Sequence, residues 1–207
     1  MPLPTPTVGL VDDEPRMLRA LQRLLTLEGF QVRTFTSAEA FLFGPPEERV
    51  DCLVLDVSMP GLSGLELQAR LKDAGRNLPI VFLTGQGDIP MSVRAIQAGA
   101  INFLTKPVND ADLLHAVHFA LAEAERLQAA ESELVGLRKR LARLTPRELE
   151  VLRHVIAGKL NKQIAASLGT GEQTIKVHRM RVTEKMGMAS VAELVRAASR
   201  LNLPPAE

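Results

Sequence analysis

The chain has 207 residues, 46% hydrophobic and 24% charged, enough apolar material for one large domain or two small ones. Its charge-free runs, such as residues 77–87 and 95–105, reach only eleven residues, short of the roughly 18–20 that a membrane span needs. No basic leader precedes Asp12-Asp13-Glu14, so a cytoplasmic protein with no membrane partner is expected. The single cysteine, Cys52, makes neither an intrachain disulfide nor a multi-thiolate metal site, and the four histidines have no recurring ligand spacing. The net charge of +1 divides unevenly: residues 1–125 hold 10 Lys and Arg against 16 Asp and Glu, residues 126–207 hold 15 against 8. An acidic module joined to a basic one is expected.

In chain order, short apolar runs fall at residues 8–11, 32–35, 53–55, 80–83 and 101–104. Helix-patterned stretches separate them: residues 15–28 carry Leu18, Leu21 and Leu25 at helical spacing, and residues 63–73 carry Leu67 and Leu71. Thr36 with Glu39 and Ser63 with Glu66 have the spacing of capping boxes, and Gly29 and Gly99 stand where helices should stop. Five strands with interposed helices predict a doubly wound, parallel (βα)5 sheet of the α/β class. From Asp110 to Leu144 the only Gly or Pro is Gly136, and Leu113, Val117, Ala120, Ala124 and Leu127 keep a four-three rhythm. The last helix is therefore expected to run on into a helical linker over residues 126–144. Its rhythm breaks at Glu131 and restarts at Leu134, Leu137, Leu141 and Leu144. A solvated connector and a dimerising coiled coil both fit, and the absence of sustained heptads favours the connector.

The basic module, residues 145–207, opens on Thr145-Pro146-Arg147-Glu148, a capping box with proline at the first helical position. Thr170 with Gln173 and Ser190 with Glu193 repeat the box, and Gly158, Gly169 and Gly187 punctuate the helix ends. The result is an all-α unit of four helices over residues 146–157, 161–168, 171–186 and 191–201. The second and third are separated only by Gly169 and Thr170, a helix-turn-helix spacing. All seven aromatic residues are Phe and lie in the acidic part. That argues against binding single strands by base stacking and fits a helix inserted into a duplex groove.

Winding residues 171–186 at about 100° per residue puts Ile175, His178, Val182 and Met186 on one buried face, with Gln173, Lys176, Val177, Met180 and Glu184 opposite. Exposed Val177 and Met180 suit thymine methyls, Lys176 suits guanine acceptors, and Gln173 shares their base-reading face. Asn161, Lys162, Thr174, Arg179, Arg181 and Lys185 flank it as candidate phosphate contacts. The plain alternative is a solvated face of mixed charge, and His178 is expected to pack rather than touch DNA.

In the acidic module polar residues follow four of the apolar runs: Asp12 and Asp13, then Asp56, Thr84 and Lys106. In a parallel sheet these are carboxyl ends of strands, the edge at which open α/β sheets bind ligands. Carboxylates so close raise one another's pKa unless a cation is present. Oxygen-only donors in an open site suit Mg²⁺, or another divalent cation such as Mn²⁺, beside a phosphate. Lys106 would give one phosphoryl oxygen a charge-assisted contact and Thr84 would hydrogen-bond another. A lone Asp at a strand end is usually a cap or turn residue, but five such residues on four strand ends share no structural reason. Cys52 is expected in the core, and His115 and His118, three apart on a helix, in surface or packing roles.

The segments Val11-Asp12-Asp13-Glu14-Pro15, Leu55-Asp56-Val57-Ser58-Met59-Pro60-Gly61 and Phe103-Leu104-Thr105-Lys106-Pro107 resemble the motifs of two-component receiver domains over residues 1–125. The resemblance implies that Asp56 accepts a phosphoryl group from a sensor histidine kinase. It implies that Asp13, Asp56 and the Ser58 backbone carbonyl hold Mg²⁺, with Asp12 acting through a metal-bound water. A cis peptide between Lys106 and Pro107 and a switch pair of Thr84 and Phe103 are implied too, and Ser58 and Gln86 would tune the phosphoryl lifetime. Residues 144–148, Gly158, residues 161–165 and residues 174–178 are similar to LuxR-type helix-turn-helix domains. The whole chain resembles the FixJ/NarL transcriptional regulators, with residues 84–91 and the long linker nearest the FixJ branch. That implies homodimerisation on phosphorylation, binding to double-stranded promoter DNA at two half-sites, contact with RNA polymerase, and no enzymatic activity beyond its own phosphorylation and dephosphorylation. Two other readings compete. One is a haloacid-dehalogenase-type phosphatase, which would place an acid where Ser58 stands. The other is a phosphorylation-independent DNA binder whose receiver serves only for docking.

Overall fold

The computed structural model describes residues 5–44, 50–85 and 89–206. They form two compact units, Met1–Leu127 and Gln128–Glu207. In the first, strands β1 (Thr7–Val11), β2 (Gln31–Phe35), β3 (Cys52–Asp56), β4 (Ile80–Thr84) and β5 (Asn102–Thr105) alternate with helices α1 (Pro15–Leu27), α2 (Ala38–Leu42), α3 (Gly64–Asp73) and α4 (Ile89–Gln97). All strand pairs are parallel, in the order β2-β1-β3-β4-β5. The chain reverses its direction of travel across the sheet between β1 and β3, which makes the carboxyl ends of these two strands the topological switch point.

Why the inner strands β1, β3 and β4 read as nearly unbroken apolar runs is clear from their two faces. Leu10, Val54 and Leu83 enter a core with Leu18 and Leu25 of α1, while Val11, Leu55 and Phe82 enter another with Leu67 and Leu71 of α3. Both faces are covered, so neither can be polar. Gly9 belongs to the second face, where an added Cβ would stand 2.7 Å from Leu53.

Helix α5 (Asp110–Leu141) is one 32-residue helix. Its early residues Leu113, Val117 and Ala120 pack in the core of the first unit, whereas Leu137 is 2% exposed in the core of the second. The solvated-connector expectation thus fails at Leu137, because this side chain is buried in the same apolar cluster as Ile175, Val182 and Met186. The second unit continues with α6 (Pro146–Ile156), α7 (Asn161–Ser167), α8 (Glu172–Met186) and α9 (Val191–Arg200). Among the described residues no helix is long and apolar enough to cross a membrane.

Two of the expected boxes form in full. Ser63 and Thr145 each accept from the third helical N–H, and Glu66 and Glu148 return to the capping N–H. Ser190 accepts from Glu193, as expected, but Glu193 reaches back to the N–H of Ala189. The other two expectations are corrected. Ser37, not Thr36, caps α2, because the Glu39 carboxylate is engaged by the N–H of Leu62 at 2.9 Å. Gly171 occupies the cap of α8 with no side-chain bond. The N–H of Thr170 returns to the carbonyl of Ala165, so this residue closes α7 instead of opening α8.

Candidate functional site

Asp12 follows β1 directly, Asp56 ends β3, Thr84 ends β4 and Lys106 follows β5. The sheet therefore brings them to one edge. Asp12, Asp56 and Thr84 are buried, at 2%, 5% and 0% exposure, while Asp13 is exposed. Carboxylate oxygens of Asp12, Asp13 and Asp56 lie within 4.8 Å of one another, a set of hard oxygen donors able to coordinate a divalent cation. The Lys106 ammonium stands between two of them, 2.7 Å from Asp12 Oδ2 and 3.2 Å from Asp56 Oδ2, with Glu14 Oε1 at 3.8 Å.

These contacts decide the electrostatics. Burial pushes the Asp56 carboxyl above its usual range, and the charge and hydrogen bond of Lys106 pull against it. Burial works to lower the Lys106 ammonium, but the bonds and charges of Asp12 and Asp56 outweigh it and hold the group above its ordinary value. Asp12 Oδ1 accepts from the N–H of Glu14 at 2.8 Å, and Asp56 Oδ1 lies 3.4 Å from the donating N–H of Ser58. Ser58 is exposed beside Asp56. The Lys106-Pro107 peptide is cis. Phe103 is half-buried, its ring 6.3 Å from that of Phe82. Gln86 lies outside the described residues.

Two residues shape this edge beyond what the sequence indicates: Gly64, to which the sequence assigns no role, and Glu39, expected only as a capping partner of Thr36. Gly64 opens α3 against the backbone at Asp56: a Cβ there would fall 2.3 Å from the Asp56 carbonyl oxygen, and its N–H donates to Val57 at 3.0 Å. A glycine in the first turn of a helix, where it is disfavoured, is the signal that could have revealed it. Glu39, through Leu62, ties α2 to the loop after Asp56. Cys52 is fully buried, its thiol pushed up to about 12 by burial. His115 and His118 are exposed, and His118 meets the edge of Phe30.

The second candidate surface is on α7 and α8. Ile175, Val182 and Met186 are buried, and Gln173, Thr174, Lys176, Met180 and Arg181 are exposed. Val177, expected in solvent, is half-buried. His178 is also half-buried, and its Nδ1 has no hydrogen-bond partner among the described residues. Lys162 is exposed, whereas Asn161 accepts from Arg179 Nη1 at 2.9 Å, linking the two helices. Lys185 turns away to the buried Glu148, 2.6 Å distant. That hydrogen bond, with the Thr145 N–H, holds the Glu148 carboxyl below the usual range.

Comparison with known proteins agrees with this division of the chain. Residues 8–118 match the family model of the response regulator receiver domain, and residues 142–198 match that of bacterial regulatory proteins of the luxR family. The chain belongs to the FixJ/NarL-type two-component response regulators with a LuxR-type helix-turn-helix. Within that class it is 44% identical over 194 residues to the response regulator protein TmoT of Ectopseudomonas mendocina, covering 94% of this chain and 88% of TmoT. To the transcriptional regulatory protein FixJ of Rhizobium meliloti it is 43% identical, covering 93% and 94%. The solved structure of the response regulator StyR superposes with a TM-score of 0.79 at 46% identity, covering 95% of this chain and 99% of that one.

Proposed function

We propose that Asp56 accepts a phosphoryl group from the phosphohistidine of a sensor kinase and that this controls duplex DNA binding by α8. The observation that carries the proposal is the Lys106 ammonium held between the buried Asp12 and Asp56 carboxylates. A carboxylate oxygen of Asp56 forms the new O–P bond as the P–N bond breaks and its electron pair leaves with the imidazole. Lys106 then meets the added negative charge from a position it already occupies, so little reorganisation is needed. Asp12, Asp13, Asp56 and the Ser58 carbonyl would hold Mg²⁺, whose bound charge offsets that of the incoming phosphoryl oxygens. Thr84, ending the strand beside Asp56, supplies the hydroxyl that follows the phosphoryl group, and Phe103 turns into the space it leaves.

On α8, Lys176, Met180, Gln173 and the partly covered Val177 form the base-reading group, with Asn161, Lys162, Thr174, Arg179 and Arg181 positioning it on phosphates. Lys185, bonded to Glu148, is the weakest member of the expected phosphate set. Homodimerisation, contact with RNA polymerase, a cytoplasmic location and division into a receiver over residues 1–125, a linker over 126–144 and a DNA-binding domain over 145–207 complete the proposal. Phosphorylation regulates binding only if it favours one state of the protein over another.

Intact mass after incubation with acetyl phosphate and Mg²⁺ tests the chemistry. One phosphoryl adduct is expected on the wild type, and none on Asp56→Asn or when Mg²⁺ is withheld. An adduct of equal yield on the variant would overturn the assignment of Asp56.

A further inference from the structure

Within the C-terminal unit, the last turns of α5 touch α8 and α9 at three successive points. Leu137 is buried with Ile175, Val182 and Met186 of α8. Four residues before it, Glu133 pairs with Arg200 at the end of α9. Three residues after it, Arg140 Nη1 donates to the carbonyl of Met186 at 3.1 Å. Spacings of four and three put these positions on one helical face.

Met186 is the last residue of α8. Beyond it the N–H groups of Gly187 and Met188 turn back to the carbonyls of Glu184 and Thr183. That closure leaves the Met186 carbonyl to an outside donor, and Arg140 supplies it. Gly187 has φ 64°, and a Cβ on it would stand 3.4 Å from Arg140 Nη1, so the guanidinium lies close against the glycine. A cation here also faces the negative end of the α8 dipole.

We propose that Arg140 is a positioning residue for DNA reading. By holding the C-terminal end of α8 it sets the placement of Gln173, Lys176 and Met180 without itself touching a base. The proposal rests on the DNA-binding role assigned to α8 above. Arg138, exposed and two residues away, carries the same charge and serves as the control.

The test uses full-length protein treated with acetyl phosphate. A duplex enriched by the wild type from a random pool, and a mixed-sequence duplex of equal length, are titrated with wild type, Arg140→Gln, Arg140→Lys and Arg138→Gln. Thermal unfolding is followed alongside. Arg140→Gln is expected to lose about five- to tenfold in affinity for the enriched duplex beyond the loss in Arg138→Gln. On the mixed duplex it should match Arg138→Gln, and its unfolding temperature should stay close to that control's. Arg140→Lys, which keeps a donor on a different arm, should fall between Arg140→Gln and wild type. Equal losses in Arg140→Gln and Arg138→Gln overturn the proposal, as does a parallel loss on both duplexes. If Arg140→Gln does not fold, the enriched-to-mixed affinity ratio of Arg140→Lys decides: a value below wild type supports the role, and one equal to it overturns the role. Failure of the wild type to enrich any duplex overturns the DNA-binding assignment itself, and this inference with it.

Discussion

The two candidate sites spend charge in opposite ways. At the sheet edge, Asp12 and Asp56 are buried and Lys106 reaches both, so ionisable groups are crowded together where water is scarce. On α8, Gln173, Thr174, Lys176 and Arg181 stand in solvent, while the partly covered cations Arg179 and Lys185 are bonded to Asn161 and Glu148. Buried, crowded charge is selective by itself, because a ligand that fails to match it leaves groups desolvated and unpaired. Dispersed surface charge costs little to hold and attracts any polyanion. Its selectivity comes from the geometry in which the helix is presented. On the proposed role of α8, what holds this helix in place bears on DNA reading as directly as the side chains on its outer face.

The strongest way to break this contrast is Asp56→Asn. It is expected to abolish all phosphoryl-dependent gain in affinity for the enriched duplex, measured by titration before and after acetyl phosphate, while basal binding persists. Lys106→Met should leave the crowded carboxylates without their cation and cost about 2–3 kcal/mol at neutral pH. Urea unfolding without divalent ions would measure that loss, and Mg²⁺ should restore part of it. No restoration would count against a cation site.

In the C-terminal unit, Glu148→Gln is expected to cost about 2 kcal/mol, since it weakens a charged hydrogen bond to Lys185. The folded pKa of Glu148 lies below its ordinary value of 4.5. The contribution of this carboxylate is therefore complete above that value and is lost as pH falls through the lower folded one. Thermal unfolding across this range should show the gap between wild type and variant closing in acid. Lys176→Ala should weaken the enriched duplex by about tenfold and a mixed duplex much less, which distinguishes base reading from phosphate attraction. The smallest effects, about 1 kcal/mol each, are expected from Ser63→Ala and Thr145→Ala. Chemical unfolding should place each loss in the unit that holds the cap.

Much of this was legible beforehand because the determining interactions are local. Leu18, Leu21 and Leu25 mark the inner face of α1 by spacing alone, and Ser63 and Thr145 found their carboxylate partners three residues on. The strand-end acids and Lys106 could be set on one edge because parallel order puts every strand's carboxyl end on the same side. Where the sequence misled, a distant competitor had intervened. Leu62 engages Glu39 and disables the Thr36 box, and Ala165 takes the N–H of Thr170. Gly64 looked ordinary until the backbone of Asp56 lay beneath it.

By itself, then, the sequence determined the alternation of strands and helices, the helix-turn-helix spacing and the strand-end acids and lysine that share one edge of the sheet. Caps, periodicity and strand order depend on neighbours within a few residues or on a single topological rule. Only the tertiary structure decided that Lys106 bridges Asp12 and Asp56, that Lys185 belongs to Glu148, and that the end of α5 packs with α8 through Leu137 and Arg140. A chain with 25 cationic side chains offers many equivalent donors, and which one meets a given acceptor depends on packing between segments far apart in sequence.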